Sequence, residues 1–138
     1  MKKQFVALLL LLFCTSAIYA EESNILDKVE SSARSWLELI DSGAYQESWE
    51  NSSSLFKAKM PESKWIKSIA AIRAPHGAIK ARYIATAAST KTLTGFPEGE
   101  YVVLQFYTTF VKKGLALETI TLAKNQDETW QVLEYSIK

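Results

Sequence analysis

After the first twenty residues, the spacing of apolar positions divides the chain into a helical part and a strand part. From residue 23 to residue 74, apolar residues recur every three or four positions, which is the spacing of one face of an α-helix. From residue 78 to residue 138 they alternate with polar residues, as in a half-buried strand. Because helices followed by strands are typical of α+β domains, the pattern predicts helices packed against an antiparallel sheet.

The helical part is predicted to contain three helices. The first covers residues 23–42 and ends before Gly43, a residue type that suits the left-handed position after a helix. The second covers residues 44–51. The third begins near Pro61 and ends near Arg73, and the helical period turns four of its residues toward the core: Trp65, Ile66, Ile69 and Ile72.

Four strands are predicted for the second part, at residues 78–88, 100–111, 115–124 and 130–137. Short polar turns separate the last three strands, so these are expected to form antiparallel hairpins. The expected fold is therefore α+β: three N-terminal helices packed on one face of a four-stranded antiparallel curved sheet. Any ligand is expected between the helices and the sheet.

The start of the chain has the pattern of a bacterial signal peptide. Lys2 and Lys3 precede an apolar run at residues 5–13, and small residues lead to Ala20. The run is shorter than the roughly 20 apolar residues that cross a bilayer, so no membrane span is expected. We expect cleavage near Ala20, a single domain at residues 21–138, and a periplasmic or secreted location. The alternative is a lipoprotein anchored through Cys14, which the bulky residue before that cysteine disfavours.

Composition excludes several kinds of chemistry. Residues 21–138 contain no cysteine and one histidine, so neither thiol chemistry nor a zinc site is expected. The chain has 16 lysines and arginines and 15 aspartates and glutamates, so it lacks the basic excess that is typical of nucleic-acid-binding proteins, and no nucleic-acid partner is expected. No phosphate-binding glycine loop or Gly-x-Ser-x-Gly elbow occurs. We therefore expect no catalytic residues, no metal, no cofactor and no enzyme activity.

Two groups of residues are candidate ligand contacts. Glu118 shares a strand face with apolar residues, and a carboxylate there is rarely buried unless it is paired. We therefore expect it to pair with Arg73 or Arg82; the alternative is an edge strand with a solvated Glu118. Gln105 and Tyr107 share the more polar face of the longest strand, which either lines a concavity or meets water.

The aromatic and basic residues of the helices are mostly expected to be structural. Of the four tryptophans, Trp36, Trp65 and Trp130 are expected in the core, and Trp49 is the expected exception. His76 is expected as an exposed turn residue. A lysine stripe is expected on a solvated helix face, at Lys57, Lys59, Lys64 and Lys67. The predicted ligand-binding set is Trp49, Arg73, Arg82, Gln105, Tyr107 and Glu118.

Four blocks of the sequence resemble the DUF4019 family, an uncharacterised family of exported bacterial domains. They are Trp36 to Trp49 with Gly43 between them, Trp65 with RAPHG at 73–77, PEGEYVVLQF at 97–106, and ETITL at 118–122 with Trp130. The resemblance covers nearly all of residues 30–138 and implies no catalytic residues. By analogy, the order of elements is also similar to NTF2-like and cystatin-like architectures, whose members differ widely in function.

Three functions remain open at this point. The first is a non-catalytic module that binds a small ligand or an extracytoplasmic protein. The second is a small NTF2-like enzyme that uses Glu118 or His76 with Tyr107 as acid–base groups. The third is an assembly protein that forms a homodimer through its sheet.

Overall fold

The order of elements is four helices followed by four strands. The computed structural model describes the backbone of residues 2–138 and the side chains of residues 18–138. The helices are α1 Lys2–Asp41, α2 Tyr45–Glu50, α3 Ser54–Lys59 and α4 Glu62–Arg73, and the strands are β1 Ile79–Thr90, β2 Tyr101–Phe110, β3 Gly114–Lys124 and β4 Trp130–Ile137. The predicted α+β class is confirmed. The side chains of residues 1–17, which make up most of the predicted signal peptide and include Cys14, are outside the described part of the structure. Within the described part of the chain, no helix combines the length and apolar character needed to cross a membrane.

The helices differ from the prediction at two places. Helix α1 is one continuous element from Lys2, because no glycine or proline interrupts the chain before Asp41. Helix α3 was not expected, since the serines at 52–54 were interpreted as a break. The Ser53 side chain instead accepts a hydrogen bond from the Leu55 N–H at 3.2 Å and caps the new helix.

Gly43 ends the first helix as the sequence predicts. Its φ of 77° is in the left-handed region, which glycine enters without a steric penalty. The amide of Ala44 donates to the Leu39 carbonyl at 2.8 Å and closes the helix end. This sharp turn lets α2 fold back along α1.

The four strands form one antiparallel sheet in the order β1-β2-β3-β4. Register shifts occur twice in the β1–β2 ladder and once between Thr121 and Leu122 in the β3–β4 ladder. Such irregularities bend strands and increase their twist. Strand β3 lies between two neighbours, so Glu118 is on an inner strand.

The core lies between the helices and the β3–β4 side of the sheet. Helices α1 and α3 contact these strands, and α2 packs against α1 and α4. The buried stripe of α4 is Trp65, Ile69 and Arg73. Ile72 was expected in the core but is 39% exposed, because Arg73 takes the inward position next to it. The buried apolar residues include Val29, Trp36, Leu37, Ile40, Trp65, Phe106, Ile120, Leu122 and Trp130.

Candidate functional site

Glu118 has a fully buried carboxylate, which accepts hydrogen bonds from three donors. Its Oε1 accepts from Arg82 Nε at 2.7 Å and from Thr108 Oγ1 at 2.5 Å, and its Oε2 accepts from the Tyr135 hydroxyl at 2.5 Å. The side chain is 0% exposed. The predicted pairing with an arginine is confirmed, and the alternative of a solvated Glu118 is wrong because β3 is not an edge strand.

The hydrogen-bonded chain continues from Arg82 to the ends of two helices. Arg82 donates from Nη1 to Asp41 Oδ2 at 2.7 Å and from Nη2 to Asp41 Oδ1 at 3.0 Å. Arg73 Nη1 donates to the same Asp41 Oδ1 at 2.8 Å. We call Asp41, Arg73, Arg82 and Glu118 the ion cluster. Its two arginines balance its two carboxylates, which is the condition under which buried charges are tolerated.

The fold places these four residues from both layers. In the sheet register Arg82 lies opposite Thr108, on the face that also carries Glu118. Asp41 and Arg73 are the last residues of α1 and α4. Because a helix C-terminus carries partial negative charge, Arg73 is favourable there, whereas Asp41 needs its two arginine partners. The cluster therefore ties two helix ends to the sheet.

The pKa values of Asp41, Arg82 and Tyr135 are shifted by their surroundings. Burial by itself raises the pKa of Asp41, but the hydrogen bonds and positive charges of Arg82 and Arg73 outweigh it, so that the net pKa is lowered. Burial lowers the pKa of Arg82, but its bonds to both carboxylates raise it overall. Burial, reinforced by the charge of Glu118, raises the pKa of Tyr135. Asp41 and Arg82 therefore stay ionised, and Tyr135 stays neutral, around pH 7.

His76 lies next to this network and is buried rather than exposed. Its ring is 5.0 Å from that of Phe110, and the Arg73 guanidinium lies 4.9 Å from the same ring. The expectation of an exposed turn residue is wrong because the turn after α4 folds back against β2, leaving His76 5% exposed. Its Nδ1 is 2.9 Å from the Ile72 carbonyl. Arg73 Nε is buried with no hydrogen-bond partner among the described residues.

The six predicted ligand contacts are only partly brought together. Arg73, Arg82 and Glu118 meet in the ion cluster. Gln105 and Tyr107 lie on the face of the sheet opposite Glu118, which we call the outer face, and Tyr107 is 54% exposed. Tyr107 is therefore not assembled with Glu118 into the acid–base pair that the enzyme alternative requires.

Trp49 is separate from both groups. It is half-buried, and its indole N–H donates to the Met60 carbonyl at 2.7 Å. This bond fixes the segment between α3 and α4. Nothing else in the described part of the chain links Trp49 to a ligand, so its assignment stays a prediction.

A cavity of about 330 Å³ opens beside Tyr135, between α3, α4, the β1–β2 loop and strands β3 and β4. We call it the aromatic cavity. Four aromatic side chains line it, namely Phe56, Trp65, Phe96 and Tyr135. Apolar and polar side chains complete the lining: Lys59, Met60, Thr119, Thr121, Leu133, Glu134 and Ser136. The sequence did not predict this site. It extends beyond the expected space between helices and sheet, because Thr119 and Thr121 lie on the same sheet face as Gln105.

Hydrogen bonds and ring contacts hold the cavity walls. The Trp65 indole N–H donates to the buried Ser48 Oγ at 2.9 Å, so only ring carbons are left to line the cavity. Phe56 packs edge-on against Trp65 with ring centroids 5.0 Å apart. Tyr135 is held by Glu118 at its hydroxyl and packs against Trp36 at 5.5 Å. The ion cluster thus positions one wall of the cavity.

The β1–β2 loop is fastened over the cavity by Lys59. The Lys59 ammonium donates to the Gly95 carbonyl at 2.5 Å and lies 3.7 Å from the Phe96 ring centroid. The sequence placed Lys59 on a solvated helix face, and it is exposed as expected, but its contact with the loop was not predicted. The loop residues lie 36 positions away along the chain, beyond the reach of local patterns.

A second cavity, of about 530 Å³, lies between α1 and the end of the sheet. Ile18, Glu21 and Glu22 form part of its wall. Those residues surround the predicted cleavage site, so the shape of this cavity depends on the segment that is expected to be removed. The aromatic cavity contains no residue from that segment.

The model of the family described as "Protein of unknown function (DUF4019)" matches residues 32–135. The chain belongs to the DUF4019 family. The match includes the whole ion cluster and every residue lining the aromatic cavity except Ser136. No curated protein matches the chain. A solved structure of a protein from Catenulispora Acidiphila is 12% identical, with 91% of this chain and 94% of that chain covered and a TM-score of 0.49.

Proposed function

We propose that this DUF4019 domain is a non-catalytic binding module that acts outside the cytoplasm and holds a small molecule in the aromatic cavity. The observation that carries the proposal is a recess of about 330 Å³ with four aromatic walls and a few polar groups. Ligand sites have volumes of roughly 300–1,000 Å³ and are mostly apolar with a few placed polar groups.

The hydrogen bonds within the ion cluster support a structural role for its four charged residues. A general base works best with a pKa near the operating pH, whereas the pKa of Asp41 is lowered from an already acidic value. Glu118 has no exposed surface, and both of its oxygens already accept hydrogen bonds. The cluster is best explained as the scaffold that holds Tyr135 and the ends of α1 and α4.

The location outside the cytoplasm rests on the N-terminal sequence pattern. Expression in a bacterium followed by osmotic shock should release a chain whose mass corresponds to a start at Glu21. A product that keeps its first twenty residues, or one lipidated at Cys14, would contradict the proposed processing.

Binding in the aromatic cavity can be tested with the neutral fluorescent dye N-phenyl-1-naphthylamine. We expect one saturable site whose affinity falls at least threefold in Phe96→Ala, because this half-buried ring forms part of the wall. Tyr107→Ala is the matched control, since it removes an exposed aromatic ring that does not line the cavity. Dye binding that is lost in Tyr107→Ala and kept in Phe96→Ala would contradict the proposal.

Assembly through the outer sheet face is a second candidate. Tyr83 and Tyr107 lie directly opposite each other in the β1–β2 register, Leu117 continues the row on β3, and both tyrosines are exposed. A row of exposed apolar side chains is typical of interaction surfaces. Sedimentation velocity of the parent and Tyr83→Ser tests it: a dimer that dissociates in the variant supports assembly, and a parent monomer at all concentrations excludes the homodimer.

A further inference from the structure

We propose that the end of the sheet at the β2–β3 turn docks on the surface of an anionic phospholipid bilayer. The surface consists of Lys80, Val111, Lys112, Lys113 and Leu115, and we call it the basic tip. None of these residues lines the aromatic cavity, so the proposal is independent of any ligand bound there.

Backbone contacts bring the basic tip together. Residues 111–115 contain the turn between β2 and β3. The amide of Val111 donates to the Ala78 carbonyl at 2.8 Å, which holds this turn against the segment that leads into β1. Lys80 follows Ala78 by two positions, so its backbone lies at the same end of the sheet.

The basic tip exposes two apolar side chains, one on each side of the turn. Val111 is 56% exposed and Leu115 is 68% exposed. Exposed apolar side chains that stand among lysines can enter the boundary between headgroups and acyl chains, where the removal of apolar surface from water favours binding.

The charge of the basic tip is positive and unpaired. Lys80, Lys112 and Lys113 are exposed, and none of them forms an ion pair with a side chain among residues 18–138. No aspartate or glutamate occurs at residues 72–80 or 110–116. Lys138 does not alter this balance, because its ammonium is offset by its own backbone carboxylate. The basic tip therefore complements a surface of negative charge.

The type of cation favours a lipid surface over an acidic protein. Arginine is the residue that recognises carboxylates in a fixed bidentate geometry, whereas lysine acts as a hydrated point charge. Both arginines near the basic tip, Arg73 and Arg82, are already bound to Asp41. The available cations are all lysines, which suit the diffuse attraction of an anionic leaflet.

Two exposed tyrosines stand behind the basic tip. Tyr107 is two residues before Thr109, the partner of Leu115, which places it about 7 Å further along the sheet. Tyr83 lies directly opposite Tyr107. Because tyrosine has an apolar ring and a polar hydroxyl, it favours the boundary between membrane and water. Apolar and basic residues at the end with tyrosines behind them match the layers of a bilayer surface.

The test is co-sedimentation of the exported chain, released by osmotic shock, with phospholipid vesicles. Since each lysine beside an anionic leaflet raises the affinity about fivefold, binding should be at least tenfold tighter to mixed phosphatidylglycerol–phosphatidylcholine vesicles than to phosphatidylcholine alone. Lys112→Gln combined with Lys113→Gln should weaken binding to the anionic vesicles at least tenfold. Lys64→Gln combined with Lys67→Gln makes the same change at exposed lysines of α4 and should stay within about twofold of the parent. Added salt should weaken the binding of the parent, since exposed charges are screened.

Three results would overturn the proposal. The first is equal binding to neutral and anionic vesicles, or no binding to either. The second is an equal loss of affinity in the two double variants, because the attraction would then come from the overall charge of the chain. The third is binding of the parent to polyglutamate without binding to vesicles, which would indicate an acidic protein as the partner. The dye-binding test of the aromatic cavity is unaffected by all three.

Discussion

Replacing Glu118 by glutamine tests whether the ion cluster holds the fold together. The substitution keeps the shape of the side chain and removes its charge. Glu118 accepts hydrogen bonds from Arg82, Thr108 and Tyr135, all of which act as donors. A glutamine has one carbonyl oxygen and one NH₂ group. Its NH₂ group therefore faces another donor at one of these positions, unless that donor rotates away.

The magnitude follows from what the arginine loses. Removing one partner of a buried ion pair costs about 3–5 kcal/mol, because the other charge stays buried without compensation. Arg82 keeps its two hydrogen bonds to Asp41, and the glutamine oxygen can still accept from Arg82 Nε. We therefore expect the lower end of that range, about 3 kcal/mol of unfolding free energy.

The assay is urea unfolding at pH 7, followed by tryptophan fluorescence and circular dichroism. Glu134→Gln is the matched control: it makes the same chemical change at an exposed glutamate of β4 and should stay within about 0.5 kcal/mol of the parent. If Glu118→Gln is as stable as Glu134→Gln, the reasoning about the cluster is refuted.

Three further changes test other parts of the structure. Burial and the charge of Glu118 raise the pKa of Tyr135, so the unfolded tyrosine ionises above about pH 10 while the folded one does not. The parent should therefore lose stability as the pH rises above about 10. Tyr135→Phe should weaken this pH dependence when unfolding is measured from pH 8 to 11. Ser48→Ala leaves the buried Trp65 indole N–H without its partner and should cost about 1–3 kcal/mol of unfolding free energy in urea; a change below 0.5 kcal/mol would contradict the assigned bond. Glu128 has a φ of 70°, so Glu128→Gly should be about 1 kcal/mol more stable than Glu128→Ala by thermal unfolding; equal stabilities would show that this turn carries no strain.

The periodicity of the sequence predicted the sheet well because strand alternation is a local property. The last strand was predicted at residues 130–137 and is observed as Trp130–Ile137. The pairing of Glu118 was also predictable, since a carboxylate among apolar neighbours needs a cation. Helix α3 was missed because a run of serines resembles a break and an N-cap equally well.

The rest of the site depends on tertiary contacts that no local pattern contains. Asp41 was not singled out, because a polar residue at a helix end is ordinary; its partners Arg73 and Arg82 lie 32 and 41 residues away. Alternation placed Gln105 and Tyr107 on one face of β2 but did not show that this face is opposite to the one that carries Glu118. Phe96 reaches the aromatic cavity from a loop, and Phe56 reaches it from a helix that was not predicted.

The central claim is that the aromatic cavity is the ligand site of this domain, and NMR mapping with 2-phenylethanol tests it most directly. We predict that the backbone amide resonances of Phe96, Thr121 and Tyr135 shift with one common affinity, while those of Tyr83 and Tyr107 stay unchanged. Shifts confined to Tyr83, Tyr107 and Leu117, or no saturable shift at all, would contradict the account.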